Sequence, residues 1–187
     1  MHLDEFNAAD AAEAAAVVRV WADIAWWTDA VVSGRPYPDV DALAARAAAL
    51  AGRWGADDLE SALAHHPRIG ERPSGAGAEA AASRREQSSM DAAAADVTAR
   101  IAALNADYEA RFGRVFLIRA AGRSPEQMLA ELQRRLGNDP DTEAREATVQ
   151  LAEIALLRLR SAVTDDTDGD GIHTPDSPAT PNAKASS

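Results

Sequence analysis

The chain has 187 residues, 47% of them apolar and 5% aromatic, and a formal net charge of -11 at neutral pH. That length suffices for one domain with a sizeable core, and the acidic balance argues against nucleic acid or an anionic membrane surface as a partner. The absence of cysteine excludes disulfides, thiolate metal sites and a cysteine nucleophile.

The first expected helix runs from Asp10 to Val20, with Val17, Val18 and Trp21 on its apolar face. A second follows from Trp21 to Val32 and stops at Ser33-Gly34-Arg35-Pro36. Asp39 or Asp41 is placed to cap a third helix ending at Ala51. A short fourth covers Asp57 to His65 and is ended by Pro67. A loop rich in glycine and proline occupies Pro67 to Gly77, after which Glu79 to Met90 and Ala93 to Arg111 read as helices. Val115 to Ala120, VFLIRA, is too short and isolated for a sheet and is expected to be an extended buried connector. Ser124 caps a helix reaching Leu136, closed by Gly137-Asn138. Asp139-Pro140 opens the last helix, to about Val163, with Val149, Leu151, Ile154, Leu157 and Leu159 as its stripe.

Composition changes near Thr164. The remainder holds five aspartates against one lysine, among Gly, Pro, Ser and Thr, and cannot bury enough apolar surface to offset its ordering entropy. The expected fold is therefore all-α: a single compact multi-helix domain over residues 1–164, with one short extended connector and a disordered tail over 165–187. Asp166 to Gly171 imitates the start of a calcium loop, but Ile172 and Ser177 depart from the pattern and no helix pattern flanks it. No apolar run approaches the ~18 residues of a transmembrane helix. The N-terminus carries acids in place of a basic n-region, so a cytoplasmic protein is expected.

Three places concentrate residues able to do chemistry. His65-His66-Pro67-Arg68-Ile69-Gly70 lies at a helix-to-loop junction, where an imidazole held by the following proline can act as general acid or base. The alternative is an exposed histidine pair at a helix end, and the spacing leaves both open. A metal site is not expected, because adjacent histidines on a helix diverge by about 100°. Ser83, Glu86 and Gln87 share a helix face and together offer a hydroxyl, a carboxylate and an amide to a flat polar ring. Ser83 as N-cap with Glu86 in a capping box explains the same residues equally well. Arg158, in LLRLR, could clamp a carboxylate from within a pocket or lie on an ordinary amphipathic edge.

In this order these stretches resemble the 2-oxo-4-hydroxy-4-carboxy-5-ureidoimidazoline (OHCU) decarboxylase family, across about Leu3 to Val163. The resemblance is carried by Phe6-Asn7, Arg35-Pro36-Tyr37, His66 to Gly70, Ser83 to Gln87 and Leu104-Asn105. It continues through Tyr108 to Gly113, Phe116 to Ile118, Gly122 to Ser124, Arg134 to Asp139 and Ile154 to Leu159. It implies an all-helical, cofactor-independent carboxy-lyase, usually a homodimer, that forms (S)-allantoin in urate degradation. His66 would be the catalytic histidine, with Glu86 as its catalytic partner. Pro67, Ser83, Arg84, Arg85, Gln87, the run Ile118-Arg119-Ala120-Ala121-Gly122, and Arg158 would contact a small anionic substrate. Association with an upstream hydrolase of the same route is an expected partnership. Glu71-Arg72, Arg119 and the Asp-rich tail depart from the family pattern. The competing expectation is a non-catalytic helical binding module of the same fold, with a partner recruited by the tail.

Overall fold

The computed structural model describes residues 1–64, 68–70 and 77–165, the side chains of 91 and 92 excepted. Among these the regular elements are helices: α1 (Leu3–Ala8), α2 (Ala11–Trp21), α3 (Ala25–Val32), α4 (Val40–Ala51), α5 (Ala56–Leu63), α6 (Ala78–Glu86), α7 (Ala95–Phe112), α8 (Pro125–Arg135) and α9 (Pro140–Ala162). Asp39 and Ser124 cap as the sequence leads one to expect, and Asp10 and Asp139, read there as helix starts, are caps as well. Asp10 accepts from the Ala12 and Glu13 N–H groups, each at 2.8 Å. Asp39 accepts from Ala42, Ser124 from Gln127, and Asp139 from Asp141 and Thr142. Each cap satisfies N–H groups that a helix start leaves orphaned.

Four features differ from expectation. The helix expected over Trp21 to Val32 begins at Ala25, after a break at 22–24. α1 had no signal, because six residues are too few for a periodicity; Leu3 and Phe6, both buried, hold it by packing. The helix expected over Glu79 to Met90 stops at Glu86, and Ser88–Ala92 continues as a 3-10 turn. Val149, expected on the buried stripe of α9, is 55% exposed. Two residues from Leu151, it projects about 200° around the helix.

The core has two parts. One gathers Leu3, Phe6, Val18, Trp21, Trp27, Leu43 and Leu59 against Leu151, Ile154 and Leu159 of α9. The other gathers Ile69, Ile101, Tyr108, Met128 and Leu132 between α7 and α8. Residues 115–120 run between them. Phe116, Ile118 and Ala120 belong to the α7–α8 cluster, and Leu117 to the larger one. This alternation is that of an extended backbone buried on both sides.

Side chains of α8 and α9 anchor this connector. Arg135 donates to the Leu117 carbonyl at 2.7 Å and stacks over Phe116. Gln150 accepts the Arg119 N–H at 3.0 Å. Behind Arg135 lies a fully buried trio: Glu143 accepts from both the Arg135 guanidinium and the Tyr108 hydroxyl. Burial, and then the hydrogen bond to Glu143, raise the Tyr108 phenol well above its ordinary range.

The ends of the domain meet. Leu3 N–H donates to Thr164 O, Thr164 N–H donates to Met1 O, and Asp165, the first residue of the segment read as tail, accepts the Val40 N–H. Residues 166–187, with the calcium-loop imitation and the rest of the expected tail, lie outside the described residues. Among the described residues no helix is long and apolar enough to cross a membrane.

Candidate active site

Ser83 is not an N-cap. It sits inside α6 and is buried, so the capping-box reading of Ser83 and Glu86 fails. Both side chains turn toward α9, where Arg158 occupies the buried stripe with Ala147, Leu151, Ile154 and Ala155. Arg158 is therefore no helix edge. Its Nε and Nη2 donate to the two Glu86 oxygens at 2.6 and 2.9 Å, Nη2 also reaches Ser83 Oγ at 3.2 Å, and Nη1 donates to the Val20 carbonyl at 2.9 Å. The pair is bidentate, the geometry in which an arginine holds a carboxylate most tightly.

A cavity of about 580 Å³ opens on this pair. Val17, Val20 and Trp21 of α2, Ala81 and Ala82 of α6, and Leu157 of α9 form its apolar walls, and Ala121 closes one side. The Glu86–Arg158 pair is close to neutral as a unit. The further positive charge on the lining is Arg85, which is exposed and donates to Ala81 O within its own helix. Arg84 is exposed on the same helix. Glu86 also borders a narrow crevice, with Gln87, Ile118 and Ala120 on its other walls.

Gln87 does not share the Ser83–Glu86 face as a straight helix would require. The helix ends there, and the amide turns to the segment 68–70. Its Oε1 accepts the Gly70 N–H at 3.0 Å and its Nε2 donates to the Arg68 carbonyl at 3.4 Å. Asn105 of α7 donates to the Ile69 carbonyl at 3.0 Å, and Glu109 takes the Arg68 guanidinium. The hydrogen bond from Arg68 holds the Glu109 carboxyl below its ordinary range. Gly70 has φ +82°, a left-handed backbone natural to glycine.

Arg119 is tied to α9 through Glu153, at 3.0 Å, and also reaches the Ala121 carbonyl. Gly122, at φ +81°, turns the chain into the α8 cap. His65, His66 and Pro67, and the departure at Glu71-Arg72, lie outside the described residues. The structure thus brings Ser83, Glu86 and Arg158 together, with Arg85 and Ala121 on the same cavity. It sets Ile118, Ala120 and Gln87 on the far side of Glu86 and turns Arg119 toward α9. Sequence reasoning missed Trp21 and Leu157 as walls, and Asn105, although a polar residue in the stripe Val97, Ile101, Tyr108 was a visible signal.

Comparison with known proteins identifies the family. A family model described as OHCU decarboxylase matches residues 7–160. The 2-oxo-4-hydroxy-4-carboxy-5-ureidoimidazoline decarboxylase of Amia calva is 34% identical over 136 residues, 72% of this chain and 78% of that one. The uric acid degradation bifunctional protein TTL of Arabidopsis thaliana is 32% identical over 112 residues, 58% of this chain and 34% of that one. A crystal structure of OHCU decarboxylase in the presence of (S)-allantoin superposes with a TM-score of 0.65 at 25% identity, covering 76% of this chain and 94% of that one. The chain therefore belongs to the OHCU decarboxylase family.

Proposed function

We propose that this protein decarboxylates 2-oxo-4-hydroxy-4-carboxy-5-ureidoimidazoline to (S)-allantoin in urate degradation. The observation that carries the reading is the buried Glu86–Arg158–Ser83 cluster opening on a cavity in a chain of this family.

The substrate is an imidazoline bearing a carboxylate, a hydroxyl and a ureido arm. When the bond from ring carbon to carboxylate breaks, its electron pair passes into the neighbouring ring imine. The hydroxyl gives up its proton to the ring nitrogen that received the pair as its carbon becomes the carbonyl, and one further proton must reach the ureido-bearing carbon from one face. The ring itself accepts the electron pair, so the family's cofactor-independent chemistry is sufficient. His66 is assigned the proton transfer, by removing the hydroxyl proton or protonating the ring. Glu86 has lone pairs beyond those Arg158 occupies, which suit the ureido and ring N–H groups. Arg158, already aligned by Ser83 and the Val20 carbonyl, presents its Nη1 edge to a substrate oxygen. Arg85 draws the anion toward a domain of net negative charge. Pro67, Arg84, Arg119 and the Ile118 to Gly122 backbone complete the surround.

A cytoplasmic homodimer is the form we assign to the enzyme. A partnership with an upstream hydrolase is supported by the bifunctional name of the Arabidopsis relative, which points to a second activity on one chain. The test generates the substrate in situ from urate and follows the chirality of the allantoin, because uncatalysed decay yields a racemate. An excess of the (S) enantiomer, abolished in His66→Ala with helical circular dichroism intact, is expected. A racemate from the wild-type chain, or full turnover by His66→Ala, sinks the assignment.

A further inference from the structure

We propose that Asn105 is a positioning residue for the reaction: it fixes segment 68–70, which follows His66 directly in the chain after Pro67. The inference rests on the assignment of His66 above. Asn105 is outside the Ser83–Glu86–Arg158 group and lines neither the cavity nor the crevice beside Glu86.

The segment 68–70 begins two residues after His66, and each of its residues is gripped by a side chain from elsewhere. Ile69 O accepts from Asn105 Nδ2 at 3.0 Å. Gly70 N–H donates to Gln87 Oε1 at 3.0 Å, and Arg68 O accepts from Gln87 Nε2 at 3.4 Å. The Arg68 side chain pairs with Glu109, whose Oε2 accepts from Nη2 at 2.9 Å. Between these holds, Ile69 is buried in the α7–α8 cluster. The grips come from two elements, the end of α6 and the face of α7, which are not neighbours in sequence. The α6 end is also where Glu86 meets Arg158. Gln87 thus ties segment 68–70 to the Glu86 side of the site, and Asn105 ties it to α7.

Asn105 itself is out of place for a residue that only packs. It is 4% exposed in an otherwise apolar stripe, and its Oδ1 has no hydrogen-bond partner among the described residues. A buried amide half-satisfied costs stability, whereas leucine would fill such a stripe without that cost. What the amide contributes is one directed bond to the Ile69 carbonyl. A directed bond three residues along the chain from a proton-transfer group acts on geometry, to which catalysis is more sensitive than stability is.

The experiment uses the full chain with substrate generated in situ. Asn105→Ala is expected to lower kcat by about ten- to 100-fold while KM stays within about twofold, because the groups that hold the substrate are untouched. Its Tm should fall only modestly, because the lost bond to the Ile69 carbonyl is partly offset by removal of the unpaired Oδ1. Asn105→Asp, of almost the same shape but with an acceptor set against the Ile69 carbonyl, should be impaired at least as much. Normal kcat in Asn105→Ala overturns the proposal, as does a kcat loss matched by a raised KM and a strongly lowered Tm. Should Asn105→Ala not fold, Glu109→Gln, on the exposed side of the same clamp, decides. Several-fold lower kcat at constant KM supports the proposal, and wild-type kinetics overturns it. His66→Ala run in parallel separates the two assignments. Turnover in His66→Ala defeats the role of His66, whereas an inactive His66→Ala beside a normal Asn105→Ala defeats only the clamp.

Discussion

Glu86 and Arg158 lie 72 residues apart in the chain and form a bidentate ion pair between α6 and α9, with side chains only 14% and 5% exposed. The pair joins the element carrying Ser83 and Gln87 to the long helix that completes the larger core. It also forms the polar end of a cavity whose other walls are mostly apolar, with Arg85 at the margin.

Breaking such a pair from one side leaves a buried charge uncompensated. Arg158→Ala should destabilise the domain by about 3–5 kcal/mol and eliminate stereospecific product formation. Arg158→Lys keeps the charge but cannot reproduce the two parallel N–H bonds. It should fold, with kcat/KM lower by about 100-fold, as expected for loss of charge-assisted hydrogen bonds. Thermal melts and steady-state kinetics on the two variants separate these effects.

Arg85 should act before chemistry. It lines the cavity and, among the described residues, has no ion-pair partner as Arg158 has, on a chain of net charge -11. Arg85→Ala is expected to raise KM by about three- to tenfold with kcat unchanged. The wild type should lose affinity as ionic strength rises, and the variant should lose less. Equal salt slopes would assign anion capture elsewhere.

The buried trio Tyr108–Glu143–Arg135 predicts an alkaline transition. The Tyr108 phenol is raised from an ordinary value of 10.0 by burial and by its bond to Glu143. A group whose folded value is raised contributes fully below its unfolded value, and the contribution fades as pH climbs through the folded one. Stability should therefore fall above about pH 10. Tyr108→Phe should flatten that fall, at a cost near neutral pH of about 1.5 kcal/mol, since Arg135 and Asn138 still hold Glu143. Denaturant melts from pH 7 to 11 on both proteins check this.

Gly70 tests the backbone at the same segment that Asn105 grips. An added Cβ would meet only ordinary contacts, Met90 Cε at 3.6 Å and Ile101 Cγ2 at 3.7 Å. The penalty of Gly70→Ala is thus conformational, from the left-handed φ, at about 1–2 kcal/mol. Because the strain is relieved by moving segment 68–70, kcat should fall along with Tm. A variant with wild-type kcat would show that the segment moves without consequence.

The all-helical class, the helix starts at Asp10 and Asp139, the caps at Asp39 and Ser124, and the extended connector were legible in the residues. Each depends on neighbours within a few positions: a side chain that returns to its own helix start, or an apolar period that matches 3.6 or 2 residues per repeat. α1 and the early end of α6 were not legible, because Leu3 is tied to Thr164 at the far end of the domain and Phe6 packs on Trp21 and Arg35, and Gln87 leaves the helix to bond a loop 17 residues earlier.

By itself the sequence determined the order of helices and the family, since both reside in local patterns and in the succession of motifs. Only the tertiary structure decided what those motifs do to one another. Ser83, Glu86 and Gln87 at i, i+3 and i+4 read as one face. Folding splits them, giving two to Arg158 and one to the backbone at 68–70. The reason is that a buried arginine and a buried peptide must both find partners, and which partners come within reach depends on the packing of α6 between α9 and the segment beside α7. The same condition turned Arg158 from a residue on a helix edge into the polar end of a cavity.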